Sequence, residues 1–166
     1  ALGTNTLVSD MKKFVNEYAI KRKNLMPPNN VIVFDEAQRA WDQDYFFKKH
    51  NTSMSEPEAL LDIMERTEGW GVIVGLVGEG QEIHSGEEAG IGNWIDSIVR
   101  TKRSSIWETC GSVKVAAEFL SLGVNSIGSD LLNLDTSIRS HLASKLHDWV
   151  AGVVGSREVS PQELSV

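Results

Sequence analysis

Val31-Ile32-Val33-Phe34-Asp35-Glu36-Ala37-Gln38-Arg39-Ala40-Trp41-Asp42 is the stretch from which the fold class can be read. Four apolar residues run directly into two adjacent carboxylates. A run this short and this uniformly apolar predicts a strand of a parallel sheet covered on both faces, rather than a half-exposed strand with alternating polarity. A strand that delivers Asp-Glu at its carboxyl end places the first carboxylate where it can hold a magnesium ion through water. The second can then orient and deprotonate an attacking water. An ordinary solvated loop after a strand is the competing reading of a lone Asp-Glu pair.

The flanking sequence supports the α/β assignment. Upstream, Leu7, Met11, Phe14, Val15 and Tyr18 recur at helical spacing, and Pro27-Pro28 with Asn29-Asn30 turns the chain into the strand. Downstream, a polar loop is expected through Lys48, Lys49, His50, Asn51 and Thr52. Ser55-Glu56-Pro57-Glu58 then reads as a capping box with proline in the first turn. Leu60, Leu61, Ile63 and Met64 give that helix its buried stripe, and Gly69 is expected to end it. Gly71 to Val77 follows as a second buried strand. Strand, helix and strand thus succeed one another as a right-handed crossover requires, and ligands in such sheets bind at the carboxyl edge.

Further on, Ile91, Trp94, Ile95, Ile98 and Val99 define a helix with an unbroken i, i+3, i+4, i+7, i+8 stripe. A strand is expected over 105–110, a helix over 113–122, a strand over 131–134, and a last helix carrying Ile138, Leu142, Leu146, Trp149 and Val150. The reading is one α/β domain over 1–156 with a polar tail at 157–166.

The flanks of the acid pair resemble motif II of superfamily 1 DNA and RNA helicases, where four apolar residues precede D-E-A-Q. The longer string from Asp35 to Asp42 is similar to an uncharacterised helicase-like family of P-loop ATPases related to the schlafen helicase domain. Gly75-Leu76-Val77-Gly78-Glu79-Gly80-Gln81-Glu82-Ile83-His84-Ser85-Gly86-Glu87 is similar to that family's G-G-G-Q-E-I-x-x-G-E segment, in the place of helicase motif III. Leu134-Asp135-Thr136-Ser137-Ile138-Arg139-Ser140 resembles the L-x-x-x-x-R-S pattern of motif IV. The three matches come in the family's order.

The resemblance implies a RecA-like P-loop NTPase core, a parallel sheet with helices on both faces. It implies that Asp35 holds magnesium through water, that Glu36 is the general base, and that Gln81 senses the γ-phosphate and the attacking water. Arg139 would give a positive charge to the transferring phosphoryl group, or else be a surface arginine at a helix start. Gln38 and Arg39 would link the nucleotide site to a nucleic-acid or interdomain face, with a plain strand-to-helix connector as the other reading. Gly78 opens the glycine-rich loop and is counted with the nucleotide contacts. ATP and Mg²⁺ are the implied cofactors, and DNA or RNA the implied partner.

The sequence departs from this pattern in two ways. No G-x-x-x-x-G-K-[S/T] run exists, and no glycine is followed by lysine, although a complete enzyme of this kind cradles its phosphates in such a loop. The expectation is therefore an incomplete motor domain, a fragment of a longer nucleic-acid-dependent ATPase, that neither binds ATP tightly nor hydrolyses it alone. In addition, Gly78-Glu79-Gly80-Gln81 is one residue shorter than the usual G-D-x-x-Q, with Glu for Asp. The competing function is a non-hydrolytic RecA-like interaction module that binds protein or nucleic acid through its basic amino-terminal helix.

Composition narrows the classes. Hydrophobic residues are 41% and charged residues 23% of 166, the profile of a globular domain. No apolar run approaches a membrane span, no signal-peptide pattern opens the chain, and a single cysteine, Cys110, suits a reducing compartment, so a cytoplasmic protein is expected. A net charge of −7 argues against wrapping nucleic acid by charge alone. Basic residues nonetheless cluster at Lys12, Lys13, Lys21, Arg22 and Lys23 and at Arg100, Lys102 and Arg103, while Glu79, Glu82, Glu87 and Glu88 crowd the glycine-rich loop. His50, His84, His141 and His147 lack zinc-site spacing.

Overall fold

The structure is a computed structural model that describes residues 10–78, 90–101 and 106–133. Two short helical turns open it: α1 (Met11–Val15), capped by the Asp10 side chain on the Lys13 N–H, runs straight into a π-helical turn at Asn16–Lys21. The first basic cluster is therefore divided. Lys12 and Lys13 lie on α1, Lys21 ends the π turn, and Arg22 and Lys23 lie beyond it. Arg66 closes this end of the chain by donating to the carbonyls of Tyr18, Lys23 and Leu25.

Strand β1 (Val31–Phe34) pairs in parallel with β2 (Val72–Gly75), Val31 opposite Val72 and Phe34 opposite Gly75. Between them lie a 3₁₀ turn at Ala37–Arg39, helix α2 (Gln43–His50) and helix α3 (Glu56–Met64). The capping box of α3 forms as the sequence predicts: Ser55 Oγ accepts from the Glu58 N–H at 3.2 Å, and Glu58 returns to the Ser55 N–H at 2.7 Å. Two local expectations give way. Lys48, Lys49 and His50 are the last turn of α2 rather than a loop, because Asp42 caps that helix through the Tyr45 N–H and Asn51 ends it in the left-handed region. Helix α3 stops at Met64, and Gly69, also left-handed, serves the turn into β2.

Helix α4 (Gly90–Arg100) packs on α3, burying Trp94, Ile95 and Ile98, while Val99 is exposed at the edge of its stripe. These side chains join Phe34, Ala37, Phe46, Leu60, Leu61 and Ile63 in one cluster, with Phe34 edge-on to Trp94 at 5.9 Å. The strand pair is covered on one face only among the described residues. Ile32, Phe34 and Ile73 meet the cluster, whereas Val31 and Val33, 46% and 59% accessible, share the outer face with Val72 and Val74. Strand side chains alternate, and among the described residues α3 and α4 supply apolar surface to a single side, so the expected covering of the second face is not seen there.

A second parallel pair follows, β3 (Thr109–Gly111) with β4 (Ser126–Gly128), joined through α5 (Val113–Ser121). The strand expected over 131–134 is instead a 3₁₀ turn at Asp130–Leu132, started by Ser129, and the strand proper lies earlier. Its Ser-Ile-Gly sequence gives no period to read. Phe119 and Trp107 attach this unit to the rest, Phe119 within the cluster and the Trp107 indole N–H on Glu65 at 3.0 Å. The expected last helix, 138–150, and the tail lie outside the described residues.

Candidate active site

Asp35 and Glu36 leave the carboxyl end of β1, beside the carboxyl end of its parallel neighbour β2. Asp35 is exposed and accepts the Glu36 N–H on Oδ1 at 3.1 Å. Glu36 has φ 57° and ψ 45°, a left-handed conformation that costs a non-glycine residue about 1–3 kcal/mol and persists only where the surroundings impose it.

Those surroundings can be identified one bond at a time. The Ala37 N–H donates to the Leu76 carbonyl at 2.8 Å, and the Leu76 N–H to the Phe34 carbonyl at 2.9 Å, extending the strand pair past its last register position. Gly75 allows this approach: a Cβ there would sit 3.1 Å from the Cβ of Ala37. Gln38, 1% accessible, then joins the two strand exits, its Nε2 donating to Glu36 Oε2 at 2.6 Å and its Oε1 accepting the Gly78 N–H at 3.0 Å. An amide can do both at once, which a carboxylate cannot.

Helix α4 holds the same turn from the other side. The Trp94 indole N–H donates to the Ala37 carbonyl at 2.7 Å and Asn93 Nδ2 to the Ala40 carbonyl at 3.0 Å. Asn93 is itself steadied by a buried serine pair, since its carbonyl accepts from Ser97 Oγ and Ser97 Oγ meets Ser55 Oγ at 2.7 Å. Glu56 clamps the next residue. Its N–H donates to the Trp41 carbonyl and its Oε2 accepts the Trp41 N–H, both at 2.9 Å, while Lys12 Nζ reaches the same oxygen at 2.5 Å. Glu56 is wholly buried, and its Oε1 has no hydrogen-bond partner among the described residues. Nearby, burial lowers the His50 pKa below its usual 6.5; Lys12 and Lys49 act in the same direction, and Glu56 opposes them.

Asp35, Glu36, Gln38 and Gly78 are therefore brought to one edge, and Arg39 stands in the connecting turn. Gln81 and Arg139 lie outside the described residues. Gln38 proves to be a buried bridge, which neither a connector nor an exposed link requires. Sequence reasoning missed Asn93 and Glu56. Trp94 was legible as a stripe residue, but nothing in its spacing disclosed the indole's second task, and a glutamate in a first helical turn ordinarily faces solvent. No group of three or more His, Cys, Asp or Glu side chains forms a metal cage among the described residues. Asp35 fits the other kind of site, that of Mg²⁺, which keeps most of its waters and takes one or two carboxylates plus substrate phosphates.

Parallel strands that present an acid pair and a Gly75–Gly78 exit side by side at their carboxyl ends make this a mixed α/β domain with both features on one edge. The family model described as Schlafen group 3, DNA/RNA helicase domain, matches residues 3–166, and this chain belongs to that family. No curated protein and no solved structure matches it significantly. No helix among the described residues is long and apolar enough to cross a membrane.

Proposed function

We propose that this chain is the acidic-motif part of a RecA-like, nucleic-acid-dependent ATPase, in which Asp35 and Glu36 act on the phosphates of ATP. The observation that carries the reading is the Glu36–Gln38–Gly78 bridge, which ties a strained strand-end glutamate to the exit of the neighbouring parallel strand. Membership of a helicase-domain family supports the nucleic-acid part.

In this reading Mg²⁺, bound with ATP, neutralises charge on the phosphate oxygens. Asp35 would hold the ion. Glu36 accepts a proton from the attacking water as the water oxygen bonds to the γ-phosphorus, and the bond from that phosphorus to the β-phosphate's bridging oxygen breaks, the electron pair leaving with ADP. Gln38 fixes the direction of the Glu36 carboxylate. Because its other end rests on Gly78, the position of Gly78 governs how firmly the base is held. Gln81, further along that loop, would sense the γ-phosphate, and Arg139 would face the transferring group. The phosphate cradle must come from residues other than these, so the isolated 166-residue chain should show no saturable micromolar binding of Mg-ATP by calorimetry.

The test is steady-state ATP hydrolysis by the natural full-length protein, with and without single-stranded DNA or RNA. Glu36→Gln should abolish turnover while nucleotide binding persists, since the isostere removes proton acceptance and leaves Asp35 in place. Near-normal turnover in that variant would sink the reading in favour of a non-hydrolytic interaction module.

A further inference from the structure

We propose that the hollow between α1 and the carboxyl end of α2 is a docking site for the phosphodiester backbone of single-stranded nucleic acid. The proposal rests on the nucleic-acid part of the function above and gives it a place on the molecule.

The hollow holds about 230 Å³ and is lined by Lys12, Lys13, Asn16, Trp41, Lys49 and His50 together with Asp10. These residues come from three separate parts of the chain. The fold therefore gathers three lysines, an amide and an imidazole around one indole, on a protein whose formal charge is −7. Asp10, the one acid of the lining, already accepts the Lys13 N–H as the cap of α1. Lys12 is paired with buried Glu56 and lies 3.8 Å above the Trp41 ring, so its position is set by the interior. Lys13 and Lys49 are exposed and belong to no ion pair among the described residues; Lys49 sits 5.4 Å over the ring of Tyr45.

Two exposed ammonium groups without an ion pair among the described residues, beside a third held on the Trp41 ring, suit a phosphate whose charge must be met without base reading. A flexible single strand can bend one phosphate towards an open hollow of about 230 Å³, whereas a duplex holds its phosphates along a stiff backbone. The site also stands on the connector that leaves Asp35 and Glu36: Trp41, its floor, is clamped by Glu56, the partner of Lys12.

The experiment is fluorescence anisotropy of labelled oligo-dT and oligo-U on the same natural full-length protein over a range of salt. Three proteins are compared: wild type, the double variant Lys13→Glu/Lys49→Glu, and Lys21→Glu/Lys23→Glu, which makes the same charge change at exposed lysines outside the hollow. Loss of two phosphate contacts should lower affinity at least about tenfold and flatten the slope of log K against log salt by about 1.4. The control should stay within about twofold of wild type. Equal losses in both variants would mean unlocalised charge and overturn the site. Wild-type binding untouched by Lys13→Glu/Lys49→Glu would overturn the site alone, and no wild-type binding to either oligonucleotide would overturn the site and the nucleic-acid reading together. Duplex DNA or poly-glutamate bound as tightly as oligo-dT would overturn the single-strand assignment.

Discussion

Strands β1 and β2 are joined through two helices, and the turn that leaves β1 carries a side chain, Gln38, that reaches the segment leaving β2, whereas β3 and β4 are joined through α5 alone and have no such polar bridge among the described residues. In the first pair Gln38 spans the two exits and α4 supplies two further donors to the turn. In the second, a Cβ on Gly111 would meet Val115 Cγ1 at 2.9 Å, and one on Gly128 would meet Ala116 Cβ and Val113 Cα at 3.3 Å. There the helix lies directly on the strands, and the Ser129 N–H closes the end on the Gly111 carbonyl. One parallel edge is held by directed hydrogen bonds and leaves Asp35 exposed; the other is held by close contact. The first should be sensitive to loss of a polar group and the second to gain of a methyl.

The largest effect is expected at Glu56, which secures both Trp41 and α1. Glu56→Ala leaves the Trp41 N–H without its acceptor and opens a cavity, at a cost of about 3 kcal/mol; the loss is moderated because Lys12 is partly exposed and can return to water. Urea denaturation measures it, and Glu56→Gln should recover most of the loss. A wild-type midpoint in Glu56→Ala would show that the clamp contributes nothing.

Gln38→Leu should come next, at about 2 kcal/mol, because a half-buried contact with Gly78 and the amide on Glu36 are lost while Glu36 can rehydrate. Hydrogen exchange sharpens the comparison here. Protection should fall around residues 36–40 and 76–78 and remain unchanged over 109–128. A uniform fall would mean that Gln38 supports the whole core instead of one edge.

Gly128→Ala tests the other pair. Its methyl meets a helix backbone atom that cannot swing aside, so about 1 kcal/mol is expected, with thermal denaturation as the readout. The smallest effect is electrostatic. Because burial lowers the His50 pKa, the unfolded chain takes up its proton first as pH falls. His50 therefore contributes fully above about pH 6.5, and its contribution is lost as pH drops through the lowered value. His50→Gln should flatten the melting temperature between pH 7.5 and 5 relative to wild type. An unchanged slope would place the imidazole in solvent.

Much of this arrangement is legible along the chain. The apolar run before Asp35, the Ser55–Glu58 capping box and the stripe on α4 each depend on residues within a few positions of one another, so their spacing records the local geometry. The same logic explains the failures. The apolar composition of β1 marks it as a strand, but whether its outer face is covered depends on what packs there, and Val31 and Val33 are open to solvent among the described residues.

The helical and strand periods, the caps and the position of two carboxylates at a strand end follow from neighbours in sequence, through backbone geometry and the need to satisfy terminal N–H groups. Tertiary structure decided which polar side chains became buried partners: Gln38 with Gly78 forty residues away, Trp94 with Ala37 fifty-seven away, Glu56 with Lys12 forty-four away. A hydrogen bond between distant residues gains its value only when packing removes the competing water, and no local pattern announces where that will happen.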